Sequence, residues 1–484
     1  MNNPVLIGNA TLHLGDCIEV MQTMPENSLD SIICDPPYLI SFMSRAFDSQ
    51  HKSLPGANEG QKMQEWHRRW VTEAYRILKP GGHLAAFGGD RTHHRLMSAM
   101  EDVGFELRFG LYWCYGSGFP KSMDASKALD QHFGMKDKRE VVGLSNRHGG
   151  GINNNYMGMT KETSNAITKP YHPLAKQWSG YGTATKPAVE ICCVGRKSMI
   201  GTLAENLLAW GTGAMNLDAC RVEIDDNLNG GAYCNGTKDL SNASSYATGI
   251  NIGEFKQPIG RFPPHLLHDG SEVVKQCFPE SGNGSGNKSI VKRARNKGWA
   301  NSSPGDGVEA IDNYGDSGSA SRFFPSLPYD EEDCATLFYC AKASRTDRNE
   351  GCELIDKREV REGLKRSTPR SFEIFEAKGA IGAPRQNNHV SVKPTNLMRW
   401  ICRLLTPKGG TLLDPFMGSG STLKAAVLEN FTCIGIEMDA DYFAIAEARV
   451  SHVSPDAVMV KATNPIKPTT KAVPVQAGLF EDAA

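Results

Sequence analysis

Apolar and polar positions fall into short patterned runs along this chain, separated by Gly- and Pro-rich breaks. Near the start, LHLG (12–15) reads as a short strand ending at Asp16, and LDSIICD (29–35) as a mostly apolar strand ending at Asp35. MQEWHRRWVTEAYRIL (63–78) sets Trp66, Trp70, Ala74 and Ile77 at helical spacing, and the KPGG that follows predicts a stop. HLAAFGG (83–89) is a further buried strand. RLMSAMEDVGF (95–105) is a helix with a glycine just past its end, and ELRFGLYWCYG (106–116) is an aromatic strand. Apolar strands alternating with helices predict a mostly parallel α/β sheet.

The pattern then weakens. Residues 143–165, 226–252 and 280–321 are rich in Gly, Asn and Ser and predict loops or linkers. Ordered islands lie between them at 188–199, 202–217 and 335–351. Regular α/β alternation returns after residue 393. LMRWICRLL (397–405) is an apolar helix, and 407–429 is a strand, a glycine-rich turn and a helix. TCIGIE (432–437) is the next strand, and DYFAIAEARV (441–450) the next helix. After about residue 456 no periodicity is left, which predicts a flexible tail.

Bulk properties narrow the class. The chain has 484 residues, a hydrophobic fraction of 40% and a formal net charge of −1. These numbers predict two or three domains, or one domain with large insertions, and confine any nucleic-acid surface to local patches. No run is long and apolar enough to span a membrane, and the N-terminus lacks a signal-peptide pattern. The 13 cysteines are scattered without a C-x-x-C pair, so a cytoplasmic location and no metal site are expected.

The glycine turn carries the first chemistry. In TLLDPFMGSGST, Asp414 ends a strand, and Gly418 and Gly420 let backbone pass close to a ligand before a helix opens. About twenty residues on, Glu437 ends the next strand, where a carboxylate can grip ribose hydroxyls. Neither the third glycine of a dinucleotide fingerprint nor a G-K-[ST] is present. An adenosine-bearing ligand without a pyrophosphate fits this spacing.

D-P-P-Y (35–38) comes first, then S-V-K-P (391–394), D-P-F-M-G-S-G (414–420) and G-I-E (435–437). Together these motifs resemble the β class of DNA amino-methyltransferases, and look closest to those of phage and prophage origin. The resemblance covers roughly 1–120, 183–199 and 335–455. It implies a Rossmann-like methyltransferase sheet with large irregular insertions, and S-adenosylmethionine as cofactor. Asp16 would accept from the cofactor's adenine amino group and Glu437 would hold its ribose. Asp414, Pro415, Phe416, Gly418, Ser419 and Gly420 would face its methionine part, and Ser391 and Lys393 would help enclose it. Two departures stand out: Val390 replaces a usual proline, and Val189-Glu190 replaces a common His-Glu pair, which weakens any base-contacting role there.

The resemblance also implies the reaction. An exocyclic amino nitrogen is a poor nucleophile because its lone pair is delocalised into the ring, so it must be oriented and drawn out of conjugation. Asp35 and the Pro36 carbonyl, held by Pro37, would accept its two hydrogens. Tyr38, with Phe42 or Trp113, would stack on a base flipped out of double-stranded DNA. D-P-P-Y favours adenine N6, with cytosine N4 as the alternative.

The expected organisation is a catalytic half (1–120), an insertion at the tip of a terminal hairpin (121–182) and the hairpin's second strand (183–199). A target-recognition region (200–388), a cofactor half (389–455) and a tail (456–484) follow. Basic residues at 287–303, near Trp299, point to phosphate contact, whereas 357–370 reads equally as a solvated face. In the tail, Q-A-G-L-F (476–480) resembles a sliding-clamp peptide, with Gln476, Leu479 and Phe480 as anchors. A homodimer is left open.

Overall fold

The computed structural model describes residues 3–40, 47–116, 122–144, 166–222, 233–234, 251–252, 260–281, 318–326, 345–355, 386–389, 391–454 and 460–461. The basic stretches 287–303 and 357–370, the clamp-like peptide, Phe42, Trp299 and Val390 lie outside the described residues.

Ten strands form one sheet. In chain order they are β1 (Val5–Ile7), β2 (Ala10–Leu14), β3 (Leu29–Cys34), β4 (Leu78–Gly88), β5 (Glu106–Cys114), β6 (Val189–Arg196), β7 (Leu266–His268), β8 (Thr411–Asp414), β9 (Thr432–Glu437) and β10 (Val460–Lys461). Their spatial order is β7-β5-β6-β4-β3-β8-β9-β2-β1-β10. The centre, β4-β3-β8-β9-β2, is parallel throughout. β6 runs antiparallel between β4 and β5. The α/β, mostly parallel sheet expected from the sequence is therefore present.

Side-chain alternation along each strand feeds two cores, one on each face. Ile32, Leu84, Ala86 and Leu413 face α1 (Cys17–Gln22), α2 (Glu59–Ile77) and α3 (His93–Val103). Ile33, Ala85, Phe87 and Leu412 face α4 (Thr395–Leu405), α5 (Ser421–Leu428) and α6 (Ala440–His452). Helix α2 begins where the Asn58 side chain accepts from the Gln61 amide. It buries Trp70, Val71, Ala74 and Ile77 as one stripe. Helix α3 ends at Gly104, whose φ of 112° a side chain would resist.

Two details refine the sequence reading and one departs from it. Helix α2 stops before KPGG as expected, but the next strand starts earlier than residue 83. Helix α2 ends at Ile77, strand β4 starts at Leu78, and Gly81 (φ 82°) takes up an irregularity in the pairing with β3. The hairpin β5–β6 is not the sheet edge, because β7 pairs outside β5. Residues just beyond 199 pack against the sheet and α4. Asn206 donates to the Pro80 and Thr212 carbonyls at 3.0 and 2.8 Å, and the Asn216 amide donates to the Leu404 carbonyl at 2.9 Å. Buried polar groups need such partners, and these tie 200–220 to β4 and α4. No described helix is long and apolar enough to cross a membrane.

Trp70 is 1% exposed and meets the Phe416 ring edge-on at 5.2 Å. Trp70→Ala is expected to lower stability by about 3–5 kcal/mol, read as a clear drop in the thermal unfolding midpoint.

Candidate active site

Four acids gather at the carboxyl edge of four neighbouring strands. Asp35 follows β3, Asp414 ends β8, Glu437 ends β9, and Asp16 follows β2. The order is set by parallel pairing: Leu413 lies opposite Ile32, Asp414 opposite Gly435, and Glu437 opposite Leu14. In an open α/β sheet this edge is the ligand-binding one.

The glycine turn is fixed from below and behind. Asp414 Oδ1 accepts from the Phe416 amide at 3.0 Å, and Glu437 Oε2 accepts from the Gly418 amide at 2.9 Å. Gly418 has φ 51°, and a Cβ there would lie 2.7 Å from His389 Nε2. That imidazole is half-buried, pushed down to about 3 by desolvation and hence neutral, and its Nδ1 accepts from the Ser391 amide at 3.3 Å. Ser419 turns inward: its carbonyl and hydroxyl accept from Arg449 Nη1 at 2.7 and 3.2 Å. Phe416 packs between Trp66 and Trp70, and Pro415 is buried. Gly420 (φ 76°) packs against Ala446, where a Cβ would approach to 3.0 Å.

Burial dominates the electrostatics of this edge. Asp414 is raised from 3.8 to about 7 by desolvation, with Asp35 and Glu437 adding repulsion. Glu437 is likewise raised from 4.5 to about 7, mainly by desolvation and despite two amide donors. Asp16 is exposed, and its Oδ1 caps α1 by accepting from the Ile18 and Glu19 amides at 2.8 and 3.2 Å.

The D-P-P-Y segment sits beside this turn. Asp35 is partly buried and forms an ion pair with Lys393, and Ser391 Oγ donates to Asp35 Oδ2 at 3.3 Å. Lys393 is 3% exposed and also reaches Tyr38 Oη at 3.3 Å. The sequence reading gave Ser391 and Lys393 to the cofactor; in the structure both contact Asp35. The ring of Tyr38 lies against Gly89, where a Cβ would come within 3.1 Å of it. Next, Leu39 takes a left-handed φ of 60°, held by its amide donating to buried Asp48 at 2.6 Å. Trp113 does not offer a stacking face, because it is 1% exposed beneath Tyr115.

Four residues escaped the sequence reading as parts of this site. Glu190 is 7% exposed and lies 3.6 Å from Lys393 Nζ. His389 closes the glycine turn. Arg449 is fully buried, and Asp347 joins it to Lys424 and to the Thr395 amide (2.8 Å) at the start of α4. Signals existed for two of them. Glu190 interrupts the apolar run AVEICCVG, and Arg449 occupies the apolar phase set by Tyr442, Ile445 and Ala446. Among the described residues, no group of three or more His, Cys, Asp or Glu could hold a metal ion.

A doubly covered parallel sheet with a glycine turn and acids along its carboxyl edge defines a nucleotide-type ligand site of the α/β class. The comparisons are more particular. A family profile described as DNA methylase matches residues 29–188 and 329–448, more than half of the chain, and the chain belongs to this N6/N4 DNA methylase family. It is 37% identical to YubD of Escherichia coli (strain K12) over 93 residues, 19% of this chain and 37% of that protein. It is 32% identical to the type II methyltransferase M.BamHI of Bacillus amyloliquefaciens over 107 residues, 21% of this chain and 24% of that protein. The matched segments thus span well under half of either relative's length. Among solved structures, the cytosine-N4-specific PvuII DNA methyltransferase aligns over 94% of both chains, with 13% identity and a TM-score of 0.42.

The raised carboxyls carry a pH signature. A carboxyl that holds its proton to higher pH in the fold than in the unfolded chain stabilises the fold at low pH. That contribution is lost as pH rises through the folded value, here about 7 for Asp414. Ligand-free protein is expected to unfold at a lower temperature near about pH 8 than near about pH 5.5. The difference should shrink in Asp414→Asn, whose amide keeps the oxygen that accepts from Phe416.

Proposed function

We propose that this protein transfers a methyl group from S-adenosylmethionine to the N6 amino group of a flipped-out adenine in double-stranded DNA. The observation that carries the reading is the seating of Asp35 beside the Asp414–Gly420 turn, through the pairing of β3 with β8. It supports the reading because a carboxylate able to accept from an amine stands next to the glycine turn.

The residues fit the cofactor's chemistry. The edge holds four acids, and burial raises two of them to about 7, so the further negative charge of a phosphate would be disfavoured there. A ligand carrying a cationic sulfonium and no phosphate is complementary to it. Glu437 would take the ribose hydroxyls, Asp16 the adenine amino group through Oδ2, and the backbone from Phe416 to Gly420 the methionine part. When bound, S-adenosylmethionine supplies an electrophilic methyl group.

The chain's own work is orientation. Asp35 and the Pro36 carbonyl accept the two amine hydrogens, drawing the nitrogen lone pair toward the methyl. Pro37 limits the backbone that aims this carbonyl, and Tyr38 presents a ring to the base. Asp35 would take up the surplus proton of the methylated amine and pass it to solvent. The insertion 121–182 and the region 200–388 would supply target recognition.

The D-P-P-Y sequence supports adenine. Transfer of labelled methyl to DNA followed by nucleoside analysis tests this, with N6-methyladenine expected. N4-methylcytosine would move the assignment to the other base, and no labelled nucleoside would end it. Asp35→Ala is expected to cut transfer by at least about a thousandfold with cofactor affinity within about threefold. Gly418→Ala should do the reverse, weakening cofactor binding at least about tenfold by calorimetry, because the new Cβ meets His389 at a left-handed φ.

A further inference from the structure

Three strands place three groups around a single buried ammonium that enters from one loop. Lys393 enters from the loop before α4, Asp35 from the end of β3, Phe87 from β4 and Glu190 from β6. Lys393 Nζ lies 4.4 Å from the centre of the Phe87 ring, 3.3 Å from Tyr38 Oη and 3.6 Å from Glu190 Oε2, and it is paired with Asp35. Glu190 stands opposite Trp113 in the β5–β6 ladder, at the start of an otherwise apolar strand. Burying a carboxylate there is costly without a compensating charge. Two carboxylates therefore share one ammonium.

The sharing matters because of what Asp35 is asked to do. A buried one-to-one ion pair neutralises its carboxylate and weakens it as a hydrogen-bond acceptor for a third group. Both Lys393 and Ser391 approach the same oxygen of Asp35, Oδ2. A second carboxylate, 3.6 Å from the ammonium, shares that charge with Asp35 while keeping the lysine in place. Burial pulls the Lys393 pKa down, Asp35 and Glu190 push it up, and the net shift is upward, so the ammonium stays charged.

We infer that Glu190 is a positioning residue for methyl transfer, which holds Lys393 between two carboxylates so that Asp35 keeps its acceptor strength for the target amine. The inference rests on the methyl-transfer reading above and adds a residue from the hairpin strand to it. Neither group needs to touch the base or the cofactor.

A double-variant cycle tests it, using full-length protein, labelled S-adenosylmethionine and duplex DNA. Glu190→Gln keeps the shape and removes the charge. It should lower kcat at least about tenfold while the KM for DNA and the Kd for cofactor stay within about twofold. Lys393→Met should also lower kcat. In Lys393→Met there is no ammonium left to restrain, so adding Glu190→Gln should cost nothing further, giving activity within about threefold of Lys393→Met or above it. A second full loss in the double variant would overturn the inference, and so would an unchanged kcat in Glu190→Gln. If Glu190→Gln alone fails to fold, the comparison of Lys393→Met with the double variant still decides. Wild-type protein that transfers no methyl to DNA would instead remove the underlying reading.

Discussion

The pairing of β3 with β8 is the contact on which the rest of the molecule depends. It joins Ser31 and Ile32 to Leu412 and Leu413, residues almost a whole chain apart. The seam is stitched by side chains as well as by the ladder. The Asp30 carboxylate accepts from the Thr411 amide at 2.7 Å and pairs with Lys79 at 2.6 Å, and Ser31 and Thr406 share a 2.7 Å hydrogen bond. Asp30 and Ser31 are both buried, so these groups must find each other or lie unsatisfied. The closure entropy of a long loop grows only logarithmically with its length. Once the seam forms, the chain between β3 and β8 can be long at little extra cost. That explains how two short motif-bearing segments at opposite ends can build one edge.

A second set of contacts determines how the chain returns to that edge. The short segment around Asp347 comes back before α4 and is clasped by two buried cations. Asp347 meets Lys424 at 2.9 Å and Arg449 at 3.4 Å, and it accepts from the Thr395 amide, while Asn387 donates to the Arg348 carbonyl at 2.7 Å. Arg449 also grips the Ser419 carbonyl inside the glycine turn. One charge cluster thus fixes the returning chain, the loop bearing His389, Ser391 and Lys393, and the turn itself. Removing one member would leave an uncompensated buried charge, which links the turn's geometry to the returning segment.

Much of this was legible in the sequence, and the reason differs by element. Strands such as β3, β8 and β9 show mostly apolar runs ending in or just before an acid, and those runs are local information. Helix α2 was readable from the spacing of Trp66, Trp70, Ala74 and Ile77. The spatial order of the strands was readable only through the motif order and its family resemblance, because no local pattern states that β2 lies beside β9. KPGG was readable as the end of helix α2, but that the next strand starts as early as Leu78 is decided by pairing with β3, which no local pattern states. The partners of Lys393 were not legible at all. A lysine in a loop looks solvated until three strands close over it, and an isolated acid in β6 has no evident partner until the hairpin folds against β4.

The edge also illustrates why its acids do not simply cost stability for nothing. Asp414 is buried and Glu437 half-buried, both largely out of reach of water, and each holds a backbone amide of the glycine turn. Replacing either by an apolar group would spare the desolvation but leave a buried N–H without its acceptor. The turn's shape therefore needs the oxygens, whereas their negative charge is a liability of the fold by itself. A bound cation would convert that liability into affinity. The same edge sets Lys393 beside Asp35, while each Glu437 oxygen accepts one backbone amide, from Gly418 and Asp439. Negative potential is thus left over the turn while the amine acceptor is partly balanced. The two ends of one sheet edge differ in charge because the strands beside them differ, with β6 and its Glu190 at one end and β2 with Asp16 at the other.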